Sequence, residues 1–154
     1  NHNDHLDQFL NRFDPKKDPH NAVFAWELSA QTIKSGKPAL ETWMEGKLNV
    51  SHKFLSRNEP YLIVDTDVSQ HGDKGINGSR GSAKAFAKLA TKTVIGHSHT
   101  PCIEKGCYQV GVSALGMEYA QGLSSWAICD CLIYPNGKRA LIFQRRGKTI
   151  GDFA

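Results

Sequence analysis

Two of the chain's seven histidines flank a single serine in Gly96-His97-Ser98-His99-Thr100-Pro101. The run follows the apolar stretch Thr93-Val94-Ile95, so a strand that ends in a glycine turn can project both imidazoles from one loop. Imidazole is the commonest nitrogen ligand for transition metals. An isolated H-x-H is a weak signal, but His71-Gly72-Asp73 lies upstream and Asn1-His2 opens the chain. These residue types suit phosphoester chemistry. Hydrolysis of a phosphate ester is slow because water is a poor nucleophile and the ester is anionic. Two divalent ions about 3.5–4 Å apart acidify a bridging water and neutralise the phosphoryl oxygens. His nitrogens and amide or carboxylate oxygens on loops at strand ends build such a centre. His5, His20 and His52 have no such company and read as surface or hydrogen-bonded residues.

The elements that must carry these groups follow from spacing. Leu6, Phe9, Leu10 and Phe13 predict a helix over 4–13, closed by Asp14-Pro15. Asp18-Pro19 supplies an N-cap and a first-turn proline for a second helix. Val23, Trp26, Ala30 and Ile33 are its apolar stripe, and Gly36 its C-terminal stop. A short helix over 38–45 follows, then strands at Leu48-Asn49-Val50 and Tyr61-Leu62-Ile63-Val64. A glycine-rich loop from His71 to Gly81 leads to Ser82, the cap of a helix over 83–91 with Phe86, Leu89 and Ala90 inward. From Thr93 the pattern is mainly β, with turns at Lys105-Gly106, Pro135-Asn136-Gly137 and Arg146-Gly147. Trp126 to Tyr134 is nearly all apolar and suits a strand buried on both faces. Helices first, then a helix between strands, then a β-rich end predict an α/β or α+β layered fold.

Composition fits a soluble globular domain: 40% hydrophobic, 22% charged, in 154 residues that read as one domain, 1–154. No apolar run approaches the ~20 residues of a membrane span. A net charge of +4 permits a phosphate-bearing partner without demanding one. The cysteines, Cys102, Cys107, Cys129 and Cys131, form no C-x-x-C pair; Cys102 and Cys107 could face each other across a hairpin turned at Lys105-Gly106, but all four read more simply as buried reduced thiols on strands, with a reducing cytoplasm assumed. The chain begins with Asn1 rather than Met, so the lack of a leader carries no information.

Asn-His, a single His, then Gly-His-x-His is also the order of the later motifs of calcineurin-like metallophosphoesterases, which the chain resembles over nearly its whole length. The resemblance implies a β-sandwich flanked by helices, and in-line attack on a phosphoester through two divalent ions (Mn, Mg, Zn or Fe). It implies that Asn1, His71 and His97 bind one metal, that His99 binds the other, and that His2 acts at the phosphoryl group as the catalytic residue. Asn3 stands where the family has an acidic residue. The family's earlier motifs, D-x-H and G-D-x-x-D, should precede Asn1, and nothing in the chain replaces them; the resemblance thus implies the C-terminal part of such a domain, with the earlier half on residues outside this sequence, on another chain, or lost. The N-terminal half would be a partner in the site, and the chain alone would be inactive. The stretches His71 to Ser82, Gly122-Leu123-Ser124-Ser125-Trp126 and Gly137-Lys138-Arg139 resemble phage-encoded members, a group that includes a pre-early deoxyribonuclease. DNA or a nucleotide phosphodiester is the substrate implied, in a host cytoplasm.

Asn77, Ser79 and Arg80, in a loop with two hydroxyls and two glycines, form a candidate phosphate cradle. Lys84, Lys88 and Lys92 repeat at helical spacing, either as a solvated face or as a track for a nucleic-acid backbone. Trp26, Trp43 and Trp126 read as core or partner-facing residues. The rival to an enzyme is a non-catalytic, structural or nucleic-acid-binding remnant of the same fold.

Overall fold

The computed structural model describes residues 2–48, 52–57, 59–114, 122–145 and 148–149, with the backbone alone at 2, 3, 145, 148 and 149. The chain divides into two compact units, Asn1–Phe54 and Leu55–Ala154.

The first unit is helical: α1 (His2–Arg12), α2 (Ala22–Ser35) and α3 (Ala39–Lys47). Asp18 caps the 3-10 turn Pro19–Asn21 that leads into α2, its carboxylate accepting from Asn21 N–H, and Gly36 ends α2 in the left-handed region at φ +68°. The Ala39 N–H donates to Asp7 Oδ1 at 3.2 Å, which ties α3 to α1. The predicted inward stripe of α2 is corrected. Ala22, Ala25 and Leu28 are buried, whereas Val23, Trp26 and Ile33 are 63%, 59% and 83% exposed. Small residues allow α2 and α3 to approach closely, so the alanine face packs and the bulkier face turns out. Trp43 is also exposed. The predicted strand at Leu48-Asn49-Val50 falls largely outside the described residues: Leu48 is extended, and 49–50 are not described.

The second unit carries two sheets. Five strands, β1 (Leu62–Ile63), β2 (Thr66–Asp67), β3 (Lys92–Ile95), β4 (Cys102–Glu104) and β5 (Cys107–Gln109), lie in the order β1-β2-β3-β5-β4. The β2–β3 and β3–β5 pairings are parallel, and the β1–β2 and β4–β5 hairpins are antiparallel. The second sheet is β6 (Cys129–Ile133), β7 (Arg139–Arg145) and β8 (Lys148–Thr149), antiparallel throughout. The turns expected at Lys105-Gly106 and Pro135-Asn136-Gly137 join β4 to β5 and β6 to β7; Arg146-Gly147 lies outside the described residues. Helix α4 (Ala83–Phe86) covers the first sheet, and Ala83, Phe86, Ile95 and Cys107 make its core. The fold is thus mixed α and β, with one mixed sheet and, among the described residues, four α-helices.

Three further expectations are corrected here. Ser82 does cap α4, but the helix tightens to a 3-10 turn over Ala87–Leu89. That change of period rotates Leu89 and Ala90 outward, while Phe86 stays buried. Lys92 belongs to β3 and pairs with Asp65, so the lysine stripe reduces to Lys84 and Lys88. Strand β6 alternates rather than being buried on both faces: Cys129 is buried and Leu132 is 46% exposed.

Several contacts among the described residues tie the two sheets. Arg139 of β7 donates from Nη1 to the carbonyls of Thr93 (3.0 Å) and Gly106 (2.8 Å), with its guanidinium 4.3 Å above the Tyr108 ring. Beyond β5, the Gly111 N–H donates to Cys129 O and the Val112 N–H to Ala127 O, both at 2.9 Å. A side chain on Gly111 would place Cβ 1.9 Å from Ala127 O, so only glycine allows this approach. No described helix is long and apolar enough to cross a membrane.

Candidate metal centre

Because β2, β3 and β5 are parallel, the loops leaving β2 and β3 emerge at the same edge of the sheet, where α/β folds place ligands. The loop after β2 carries His71; the loop after β3 carries His97 and His99. Asp67, the last residue of β2, shapes the first loop by accepting from Ser69 N–H (2.9 Å) and Ser69 Oγ–H (2.6 Å). The Gly96 N–H donates to His71 O at 2.9 Å and laces the loops together. Gly72 permits that approach: it sits at φ +102°, and a Cβ there would stand 3.0 Å from Gly96 O.

The result is a histidine pair. His71 Nε2 and His97 Nδ1 are 3.3 Å apart, and their rings meet edge to face at 76°. Two nitrogens each ~2.0–2.1 Å from one ion in a tetrahedral shell are separated by about 3.3–3.4 Å. The pair therefore has the spacing of two ligands on one metal. The same contact also serves as a hydrogen bond between the two imidazoles in this structure, with the donor set by the tautomers. The donor chemistry fits a borderline-soft divalent ion.

His97 is held in an unusual conformation. Its φ is +70°, and the Ser98 N–H returns to Gly96 O at 2.9 Å, a three-residue turn of the kind that is rare and strained. His99 is also left-handed, at φ +60°. Such backbone costs of order 1–3 kcal/mol and persists where the surroundings over-determine it. Here they do. His99 O accepts from Ala127 N–H (3.3 Å), and the His99 ring packs edge-on against Trp126 with centroids 4.7 Å apart. Thr100 O accepts from Gln109 Nε2 (2.6 Å), and the Thr100 and Ser125 hydroxyls are 2.8 Å apart.

A positioning pair absent from the sequence reading holds the other loop. Arg57 Nη1 donates to Asp73 Oδ2 at 2.8 Å. Partial burial alone would raise the Asp73 carboxyl. The Arg57 hydrogen bond and charge, with the Lys74 and Asp73 N–H groups, instead bring it down to about 2. Asp73 is thereby an anchor for the loop that carries His71. The segment closes on itself: Gly81 N–H donates to Asp73 O (3.1 Å), Gly75 N–H to Ser79 O (2.7 Å), and Lys74 bridges Arg80. A Cβ on Gly81 would lie 1.8 Å from Gly72 O. Glycine at 81 was legible in the sequence as part of a glycine-rich loop; Arg57, sixteen residues from its partner, left no pattern to read.

The remaining site residues fall as follows. Asn1 lies outside the described residues, and His2 is the first residue of α1, described by backbone only. In the proposed phosphate loop, Asn77 is left-handed at φ +57°, and Ser79 spends its hydroxyl proton on Ile76 O at 2.8 Å. Arg80 is exposed, and no described residue pairs with its side chain. The cysteines are free thiols. Burial pushes Cys102, Cys107, Cys129 and Cys131 above the ordinary thiol value, so thiolate is scarce at neutral pH. Among the described residues, no group of three or more His, Cys, Asp or Glu side chains gathers to hold a metal. His71 and His97 are thus brought together with no third side chain of these types among the described residues.

Comparison with known proteins finds a phage relative. The chain is 43% identical over 96 residues, 62% of its own length, to Protein A1 of Escherichia phage T5. It spans 17% of that protein. No protein-family model matches, and no solved structure matches. The chain is therefore similar to a phage protein.

Proposed function

We propose that the chain contributes to a metal-dependent phosphoesterase of the calcineurin-like kind, acting on a phosphodiester of DNA or a nucleotide. The observation that supports this best is the 3.3 Å separation of His71 Nε2 and His97 Nδ1 at the carboxyl edge of parallel strands. His71 and His97 hold one divalent ion and His99 contributes to the second. Asn1 and His2 enter the proposal on the sequence motif alone. When bound, the ions supply charge neutralisation and water activation. The residues of this chain fix the ligand geometry: Gly72 and Gly96 set the imidazole spacing, Trp126 orients His99, and Arg57 with Asp73 steadies the His71 loop. Three imidazoles are too few for a two-metal centre, so carboxylates from the other half of such a domain are required for turnover.

The absence of a larger ligand group among the described residues favours a second reading, a nucleic-acid-binding or structural remnant with one weak metal site. Metal analysis of the purified protein separates the two. In the enzyme reading, supplying the N-terminal half of the domain brings two ions per chain and metal-dependent cleavage of an aryl phosphodiester, and His97→Ala removes both. One ion or none, with no cleavage under the same conditions, selects the remnant.

A further inference from the structure

A cleft of about 490 Å³ adjoins the loop that carries the histidines, with Ser98, between His97 and His99, in its wall. The loop before α4 and the helix itself provide Arg80, Ser82 and Lys84; the β4–β5 hairpin provides Cys102, Glu104 and Gln109. Among the described residues, Arg80, Lys84 and Glu104 have no ion-pair partner, so the cleft gathers unneutralised charges of both signs. Gln109 is buried, its Nε2 is committed to Thr100 O, and its Oε1 accepts no hydrogen bond from a described residue. The Ser82 hydroxyl accepts from Ala85 N–H as a cap, which leaves its proton to donate.

A simple anion does not fit this set: Arg80 and Lys84 would attract it and Glu104 would repel it. In the cleft wall, Gln109 Oε1 is left to accept an N–H from a ligand, since only its Nε2 is engaged within the protein. The complementary ligand has an anionic end and, a few ångströms away, an edge of N–H donors. Pockets of ~300–1,000 Å³ suit ligands of nucleotide size. We propose that the cleft binds a nucleotide, its phosphate between Arg80 and Lys84 with the Ser82 hydroxyl, and its base edge against Glu104 and Gln109 Oε1. Resting on the phosphodiesterase reading, this nucleotide is the one that flanks the scissile bond. A base with adjacent N–H donors, as guanine has, is preferred to uracil, whose carbonyls would face Glu104.

The test is titration of the protein, without divalent metal, with guanosine 5′-monophosphate, uridine 5′-monophosphate and inorganic phosphate. Guanosine monophosphate should bind about tenfold more tightly than phosphate, the worth of one charge-assisted hydrogen bond. Arg80→Ala and Lys84→Ala, both exposed positions, should each weaken it about five- to tenfold. Glu104→Gln should erase the preference over the uridine nucleotide and strengthen phosphate binding. Lys88→Ala, an equal charge loss outside the cleft, should leave binding within about twofold. Equal affinity for guanosine monophosphate and phosphate overturns the proposal, as does an equal loss in Lys88→Ala and Arg80→Ala. Because no metal is present, a failed metal site leaves this result untouched, and a failed cleft leaves the histidine pair untouched.

Discussion

A 3.3 Å gap between two ring nitrogens depends on residues that carry no chemistry themselves. Asp73 is the clearest case, because its role has a pH signature. Its carboxyl lies at about 2 in the folded state, below the ordinary value near 4. A depressed carboxyl contributes stability that is present above the unfolded value and lost as pH falls through the folded one. The contribution is therefore complete above about pH 4 and fades toward pH 2. Asp73→Asn should be less stable than the parent at neutral pH, and the gap should close between those limits. Urea unfolding across pH 2–7 measures it; a gap independent of pH would mean that Arg57 does not hold the charge. The meeting of His71 and His97 could be anticipated from sequence because the motif order sets residue type and position. Arg57 could not, because an ion pair across sixteen residues imposes no periodicity and any arginine would look the same.

Elements show where periodicity misleads. In α2 both the alanine face and the Val23-Trp26-Ile33 face repeat at helical spacing, and hydropathy favours the wrong one. Close helix packing rewards small side chains, which a hydropathy pattern does not weigh. Strand β2 escaped notice because two residues, Thr66-Asp67, are too few to display alternation, yet β2 places His71. Caps and turns were legible at Asp18, Gly36, Ser82, Gly106 and Gly137, where local backbone geometry dictates residue type. Two glycines test this distinction. Gly46 lies in the last turn of α3 with nothing within 4 Å of a would-be Cβ, so Gly46→Ala should stabilise the protein, by less than the ~1 kcal/mol of a helix interior. Gly111→Ala would drive Cβ into Ala127 O and part the joined sheets, a loss above about 2 kcal/mol. Thermal unfolding of both variants should give shifts of opposite sign.

At the scale of the molecule, mixed α and β architecture was readable from the order of helical and strand patterns, whereas the division into Asn1–Phe54 and Leu55–Ala154 was not. No low-complexity linker marks that boundary. The proposed metal binding would connect the whole fold to the candidate centre, since any ligand that binds only the native state stabilises it, by about 2.7 kcal/mol at a hundredfold excess over Kd. A saturating divalent ion should raise the melting temperature of the parent and leave that of His97→Ala unchanged. Manganese titration of the protein followed by NMR of its histidine side chains tests the pair most directly. Substoichiometric Mn²⁺ should broaden the His71 and His97 ring resonances first among the seven histidines, and His97→Ala should abolish the selective broadening of His71. Equal broadening of all seven, or selective broadening elsewhere with His71 and His97 unaffected, would contradict the account.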